Sequence, residues 1–135
     1  MQRTDVTLTL SARPENVAVI RHMLGAFAES LRLSHELVED LRLAVTEACT
    51  NVVRHAYPEG DPGAVEVSIE PREDDLYVVV ADSGRGIGTS RDTTGPGLGL
   101  PLIAAIADTV DLQSAPGGGS RVTMTFARRS PGGAA

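Results

Sequence analysis

The chain has 135 residues and a formal net charge of -6, and hydrophobic residues make up 41% of it. This length suits one domain, and the composition is that of a globular chain rather than a disordered one. The acidic balance disfavours general binding to nucleic acid, which needs basic patches, although backbone amides can still hold phosphate groups without a basic surface.

Cysteine content and hydropathy exclude two further classes. Cys49 is the only cysteine, so the sequence predicts no disulfide framework and no cysteine-based metal site. No apolar run approaches the roughly 20 residues that span a bilayer. The first five residues lack the apolar stretch of a signal peptide. We therefore expect a soluble cytoplasmic protein without direct contact to membrane or nucleic acid.

The first half of the chain predicts a strand and two helices. Apolar and threonine residues alternate over residues 6–10, which is typical of a half-buried strand. Apolar residues then recur at steps of three and four from Val17 to Leu31, which predicts an amphipathic helix. Ser34 is a favourable N-cap for a second helix that we expect to run to about Ala56.

The second half predicts four strands and one helix. Alternation over residues 65–69 and an apolar run over 76–81 indicate a hairpin, and two more strands are expected around 110–114 and 121–126. A helix between these pairs passes through Ile103 and Ile106. The order predicts an α+β fold, a two-layer sandwich whose mixed, mostly antiparallel sheet carries the helices on one face. We expect one domain over residues 1–127 and a flexible tail over 128–135.

Glu47, Asn51 and His55 form the first candidate site feature. Their spacing of i, i+4 and i+8 lines one edge of the second helix, beside its apolar stripe. A carboxylate, a carboxamide and an imidazole on one edge would make a polar wall facing a cleft. The same spacing also fits an ordinary solvated helix face.

Residues 82–87 (DSGRGI) form the second feature, a loop directly after a buried strand. The Asp82 carboxylate could accept a hydrogen bond from an exocyclic amine such as that of adenine. Gly84 and Gly86 would let the backbone approach a planar ring, and Ile87 could pack on its face. An ordinary Asp/Gly turn explains the same residues equally well.

Residues 95–100 (GPGLGL), which open the third helix, form the last feature. Free amides at a helix N-terminus attract phosphate, and glycines allow a close approach. The spacing is wrong for a dinucleotide-binding fingerprint, and a Walker phosphate loop is excluded because the chain contains no lysine. A flexible linker before a helix remains the alternative.

Taken together, residues 47–57 (EACTNVVRHAY), 82–87 and 95–100 resemble the asparagine box and the two glycine boxes of the Bergerat-fold ATPases. This superfamily includes gyrase, histidine kinases and MutL. Within it, the chain looks most like the anti-sigma factor serine/threonine-protein kinases of the RsbW type. The intact Glu47 favours this branch, because histidine kinases commonly differ at that position.

The resemblance implies ATP and Mg2+ as cofactors and a role for individual positions. Glu47 is implied as the general base that accepts a hydroxyl proton. Asn51 is implied to bind the magnesium ion that bridges the phosphates, and Asp82 to bind the adenine amine. The other implied nucleotide-binding residues are Arg54, His55, Gly84, Gly86, Ile87, Gly95, Gly97, Leu98, Gly99, Leu100 and Ser120.

The resemblance also implies protein partners. Members of this type transfer the γ-phosphate of ATP to a serine on a STAS-domain anti-anti-sigma protein, and they also bind a sigma factor. A homodimer is expected from the family. Arg21, on the first helix, matches a partner-facing arginine of the family, although a plain solvated charge fits it equally well.

The length of the loop between the glycine boxes keeps a second function open. Only six residues, 89–94, separate Gly88 from Gly95, which is a short lid for the superfamily. A short lid would close poorly over the triphosphate. The alternative function is therefore a non-catalytic, ATP-gated protein-binding module in a partner-switching signalling pathway.

Overall fold

The computed structural model describes residues 6–57, 63–84, 99–114 and 118–128. Within these ranges, strands and helices follow in the predicted order, which confirms the α+β class. The elements are β1 (Val6–Ser11), α1 (Pro14–Ser30), α2 (His35–Asn51), a π-helical turn (Val52–Ala56), β2 (Ala64–Pro71), β3 (Asp75–Asp82), α3 (Gly99–Ile106), β4 (Thr109–Ser114) and β5 (Ser120–Ala127).

The described strands form one five-stranded sheet in the order β1-β2-β3-β5-β4. Each neighbouring pair is antiparallel, so the sheet is more uniform than the mixed arrangement that we expected. The crossover through α3 carries the chain beyond β3 to the edge strand β4. The last strand, β5, then returns between them and pairs with both.

Strand alternation separates a buried face of the sheet from an open one. On β2, Val65, Val67 and Ile69 are buried, whereas Glu66 between them is exposed. Val122, Met124 and Phe126 continue the buried face on β5. Because the helices supply the other half of this core, the predicted two-layer sandwich with helices on one face is confirmed.

Capping and apolar periodicity set the two long helices. Pro14 opens α1, and the Ser34 side chain accepts a hydrogen bond from the Leu37 backbone N–H at 3.1 Å, as expected for the N-cap of α2. Both helices bury aliphatic stripes, which include Ile20 and Leu24 on α1. No helix in the described ranges is long and apolar enough to cross a bilayer.

Cys49 lies in this core, where its side chain is fully buried. Burial raises the pKa of the Cys49 thiol to about 12, because the apolar surroundings penalise the thiolate. The residue therefore serves as a small core side chain, as the sequence indicated. The expected domain limit at residue 127 stays a prediction, since residues 129–135 lie outside the described ranges.

Candidate functional site

Helix α2 is the central helix of its layer, and it packs against α1 and against α3. Arg42 marks the side towards α1, because its guanidinium lies over Gly25 of that helix. Asn51 follows nine residues later, which at about 100° per residue is the opposite side of α2. Glu47 and Asn51 therefore lie on the side of α2 away from α1.

Both of these side chains are half-buried and one helical turn apart. Within the described residues, the Glu47 carboxylate has no hydrogen bond and no ion pair. A half-buried carboxylate that these residues leave unpaired can accept a proton or a hydrogen bond from a ligand.

Beyond Asn51, the helix changes its winding. Residues Val52–Ala56 form a π-helical turn, with wider winding than the α-helix on which the i+8 spacing of His55 was based. His55 is half-buried and Arg54 is exposed, while Val52 and Ala56 fill the core. The sequence did not predict this turn. It rotates Arg54 and His55 away from the positions that a continuous α-helix would give them.

Asp82 ends the central strand β3, between β2 and β5. Its Oδ1 accepts a hydrogen bond from the Gly84 backbone N–H at 2.8 Å, and its Oδ2 accepts one from the Ser120 hydroxyl at 2.6 Å. Ser120 was predicted to bind the nucleotide, and the structure places it against this carboxylate. Each carboxylate oxygen keeps further acceptor capacity, so a fixed Asp82 can still accept a hydrogen bond from an amine.

Two glycines allow the chain to pack closely around Asp82. A Cβ at Gly84 would lie 2.0 Å from the Ala56 carbonyl oxygen, so only glycine lets this loop touch the end of the π-helical turn. Gly119 has a φ of +96°, and a Cβ there would lie 2.3 Å from the Asp82 carbonyl oxygen. The Gly84 contact places the Asp82 loop directly against the turn that follows Asn51.

Tyr57 ties the same two elements together with hydrogen bonds. Its hydroxyl donates to the Ala64 carbonyl at 2.6 Å and accepts from the Ser83 backbone N–H at 2.9 Å. The sequence interpretation gave Tyr57 no role, although it closes the 47–57 segment. Its position right after the helix was the only available signal.

The two glycine boxes are described only in part. Gly86, Ile87, Gly95, Gly97 and Leu98 lie outside the described residues, as does the lid segment 89–94. Gly99 and Leu100 form the first turn of α3. The N-terminal turn of a helix carries free amides that favour phosphate. Contact of Gly99 and Leu100 with a nucleotide stays a prediction.

The side-chain oxygens near Asn51 are compatible with a magnesium ion that binds together with the nucleotide. The described residues contain no group of three or more His, Cys, Asp or Glu side chains that could hold a metal. Magnesium usually takes one or two protein oxygens, water and substrate phosphates rather than a full protein cage. The half-buried amide of Asn51 can supply one such oxygen.

Comparison with known proteins decides the family. Residues 10–126 match the model of the histidine kinase-like ATPase domain. The chain belongs to this family. Its curated relatives include the serine-protein kinase RsbW of Bacillus pumilus, which is 35% identical over 137 aligned positions that cover 89% of this chain and 83% of the relative. RsbW of Listeria monocytogenes serotype 4b is 38% identical over 122 positions, covering 79% of this chain and 78% of the relative.

Two solved structures share the fold. The RsbU and RsbW domains of a Mycobacterium tuberculosis protein superpose with a TM-score of 0.72 at 20% identity, covering 93% of this chain and 33% of that chain. The mycobacterial sensor histidine kinase MprB gives a TM-score of 0.57 at 16% identity, covering 93% of this chain and all of that one. These structures show the shared fold. The family match and the curated relatives confirm the RsbW-like assignment and the enzyme class, an ATP-dependent protein kinase.

Proposed function

We propose that this chain transfers the γ-phosphate of ATP to a serine on a STAS-domain anti-anti-sigma protein. The observation that carries the proposal is the half-buried carboxylate of Glu47, which no described residue pairs with, one turn before Asn51 on α2. Supporting it, the Tyr57 hydroxyl and the Gly84 contact link the end of this helical segment to the Asp82 loop. A base and an adenine-binding carboxylate would thus belong to one rigid unit.

In the proposed step, the serine oxygen attacks the γ-phosphorus and forms a new P–O bond. The bond from the γ-phosphorus to the bridging oxygen breaks, and ADP leaves with that oxygen. The hydroxyl proton passes to the Glu47 carboxylate. Asn51 would hold magnesium, which when bound neutralises phosphate charge. Transfer of this kind depends mainly on positioning and on charge stabilisation.

The nucleotide would be held at its other end by Asp82. The hydrogen bonds from Gly84 and Ser120 fix the carboxylate before the ligand binds, so little ordering remains for the ligand to impose. The adenine amine would donate to one of the two oxygens. Asp82→Asn should therefore weaken ATP binding, because it replaces one acceptor oxygen with an amide donor.

The partner assignment follows the relatives named RsbW. In this proposal, the chain acts in the cytoplasm and binds the STAS-domain protein and a sigma factor in alternation. Arg21 is exposed on α1, as a partner-facing arginine needs to be. Formation of a homodimer stays a prediction.

The test is phosphoserine on a STAS-domain anti-anti-sigma protein from the same organism, measured by mass spectrometry after incubation with Mg-ATP. Glu47→Gln should abolish the transfer while the shift in melting temperature on adding ATP persists. Glu66→Gln is the matched control, because Glu66 is exposed on the open face of the sheet. Transfer that survives in Glu47→Gln would show that Glu47 is not the base.

The short segment 89–94 supports a second candidate, the ATP-gated binding module. In this version, bound ATP stabilises a surface that grips the partner, and no phosphate moves. ATP-dependent binding of the STAS-domain protein without any phosphoserine would favour the module. Phosphoserine that depends on Glu47 would exclude it.

A further inference from the structure

An exposed leucine lies next to the proposed base. Leu43 is 40% exposed, although it sits near the middle of α2, and Glu47 follows it by one turn. Its neighbours on the helix surface, three and four residues away, are Glu39, Asp40, Thr46 and Glu47. Leu43 is thus an apolar side chain whose neighbours on the helix surface are polar, and three of these four are acidic.

The direction of side chains on a helix brings Leu43 and the Glu47 carboxylate together. Side chains lean towards the N-terminus of their helix, so each covers the turn before its own Cα. The Glu47 side chain therefore leans towards the turn that carries Leu43. A partner segment that approached Glu47 from the N-terminal side of α2 would pass over Leu43.

Position sets Leu43 apart from the other exposed apolar side chains among the described residues. Val19 and Met23 are on α1, and Leu112 is on the edge strand β4. Isolated apolar side chains on a surface are ordinary. Leu43 alone among these four shares a helix with Glu47 and lies one turn from it.

We propose that Leu43 is a docking residue for the phosphoacceptor protein, and that it contacts an apolar side chain next to the acceptor serine. This inference rests on the proposed kinase function and assigns a residue that would select its protein substrate. The contact would hold the serine segment over α2 while the hydroxyl reaches Glu47.

Charge defines the rest of the partner segment. Glu39 lies 3.6 Å from the Arg42 guanidinium, whereas Asp40 has no ion pair within the described residues. Asp40 is half-buried, and it precedes Leu43 by three residues on the helix surface. A basic residue in the acceptor segment would complement Asp40. The acceptor segment that docks here therefore carries an apolar residue beside the serine and a basic residue close to it.

The experiment measures phosphorylation kinetics with the STAS-domain protein as the probe, comparing wild type, Leu43→Ser and Leu43→Met. Leu43→Ser should raise KM for the acceptor by about fivefold to tenfold, because an apolar contact is lost. The kcat and the ATP-induced melting shift should stay unchanged. Leu43→Met should remain close to wild type, since it keeps an apolar side chain of similar size.

Leu112→Ser is the matched control, because Leu112 is 37% exposed and lies on β4 rather than on α2. Equal KM values for the Leu43→Ser and Leu112→Ser variants would overturn the docking role and leave the kinase function standing. A lower kcat or a lost ATP shift at unchanged KM would also overturn it, by placing Leu43 in the nucleotide site or the fold. Absence of phosphoserine with wild type would reject the kinase function itself, and the docking role with it.

Discussion

The Ser120 hydroxyl donates a hydrogen bond to Asp82 Oδ2 at 2.6 Å, across the pair formed by β3 and β5. Ser120 is 3% exposed, and among the described residues Asp82 is the only hydrogen-bond partner of its side chain. The bond fixes the rotamer of Asp82 from the side of the sheet. Gly84 fixes it from the loop side through its backbone N–H.

Ser120→Ala should therefore weaken ATP binding without unfolding the protein. Loss of a hydrogen bond to a carboxylate costs about 1–3 kcal/mol, part of which falls on the orientation of Asp82. We expect a smaller ATP-induced shift in melting temperature across an ATP titration. Ser68→Ala, on the open face of the sheet, is the control and should behave as wild type. Equal ATP affinities in both variants would show that Ser120 does not orient Asp82 for binding.

Gly84 and Gly25 should respond in opposite ways to the same substitution. At Gly84 an alanine Cβ would meet the Ala56 backbone carbonyl at 2.0 Å, and neither backbone can move freely. We expect a loss of about 1–3 kcal/mol in the free energy of unfolding, as for other overpacked sites. Chemical denaturation with urea measures it.

At Gly25 the atom that a Cβ would meet is the flexible end of Arg42, which can turn away. Alanine also favours the helix by about 1 kcal/mol over glycine. Gly25→Ala should therefore be neutral or stabilising. A large loss of stability in Gly25→Ala would mean that Arg42 has a fixed structural role between α1 and α2.

The sequence predicted those parts of the molecule that depend on periodicity and on local signals. The alternation in β2 and the Ser34 cap of α2 are examples, because each follows from neighbouring residues alone. The all-antiparallel order of the sheet was not fully predicted. The strand order depends on β5 pairing between β3 and β4. That position is decided by long-range packing rather than by the sequence of β5 itself.

In the candidate site too, some residues could be predicted from local sequence and others could not. Glu47, Asn51 and Asp82 were predicted from spacing and from their place at the end of an element, and their roles stay predictions. The roles of Tyr57 and Gly119 were missed, because a hydroxyl that links residues 64 and 83 is visible only when the fold brings them together. The π-helical turn was missed because no residue in 52–56 is a helix breaker.

Tyr57→Phe tests whether the tyrosine hydroxyl couples the Asp82 loop to the helix. The change removes two hydrogen bonds, to Ala64 and from Ser83, and should cost about 1–2 kcal/mol of stability. The Ser83 amide should exchange its hydrogen faster. Tyr77→Phe is the control, because the ring of Tyr77 stacks under Arg72 and phenylalanine preserves that contact. Similar stability in both variants would contradict the coupling.

Cys49 provides a reporter of nucleotide binding from inside the core. Its side chain is fully buried, and the pKa of its thiol is raised to about 12 by that burial, so at pH 8 the folded chain offers almost no reactive thiolate. Alkylation by iodoacetamide should therefore proceed only through unfolding. ATP at about 100 times its Kd should slow the reaction by roughly 100-fold, since binding stabilises the fold by about 2.7 kcal/mol.

Intact-mass spectrometry over time gives the alkylation rate. In Asp82→Asn, the rate should no longer depend on ATP at the same concentration, because the carboxylate that would receive the adenine amine is lost. The control is the urea-unfolded chain, in which Cys49 should react at the same rate with and without ATP. Rapid alkylation of the folded protein would show that the core around Cys49 opens locally. An unchanged slow rate with ATP in the wild type would count against nucleotide binding altogether.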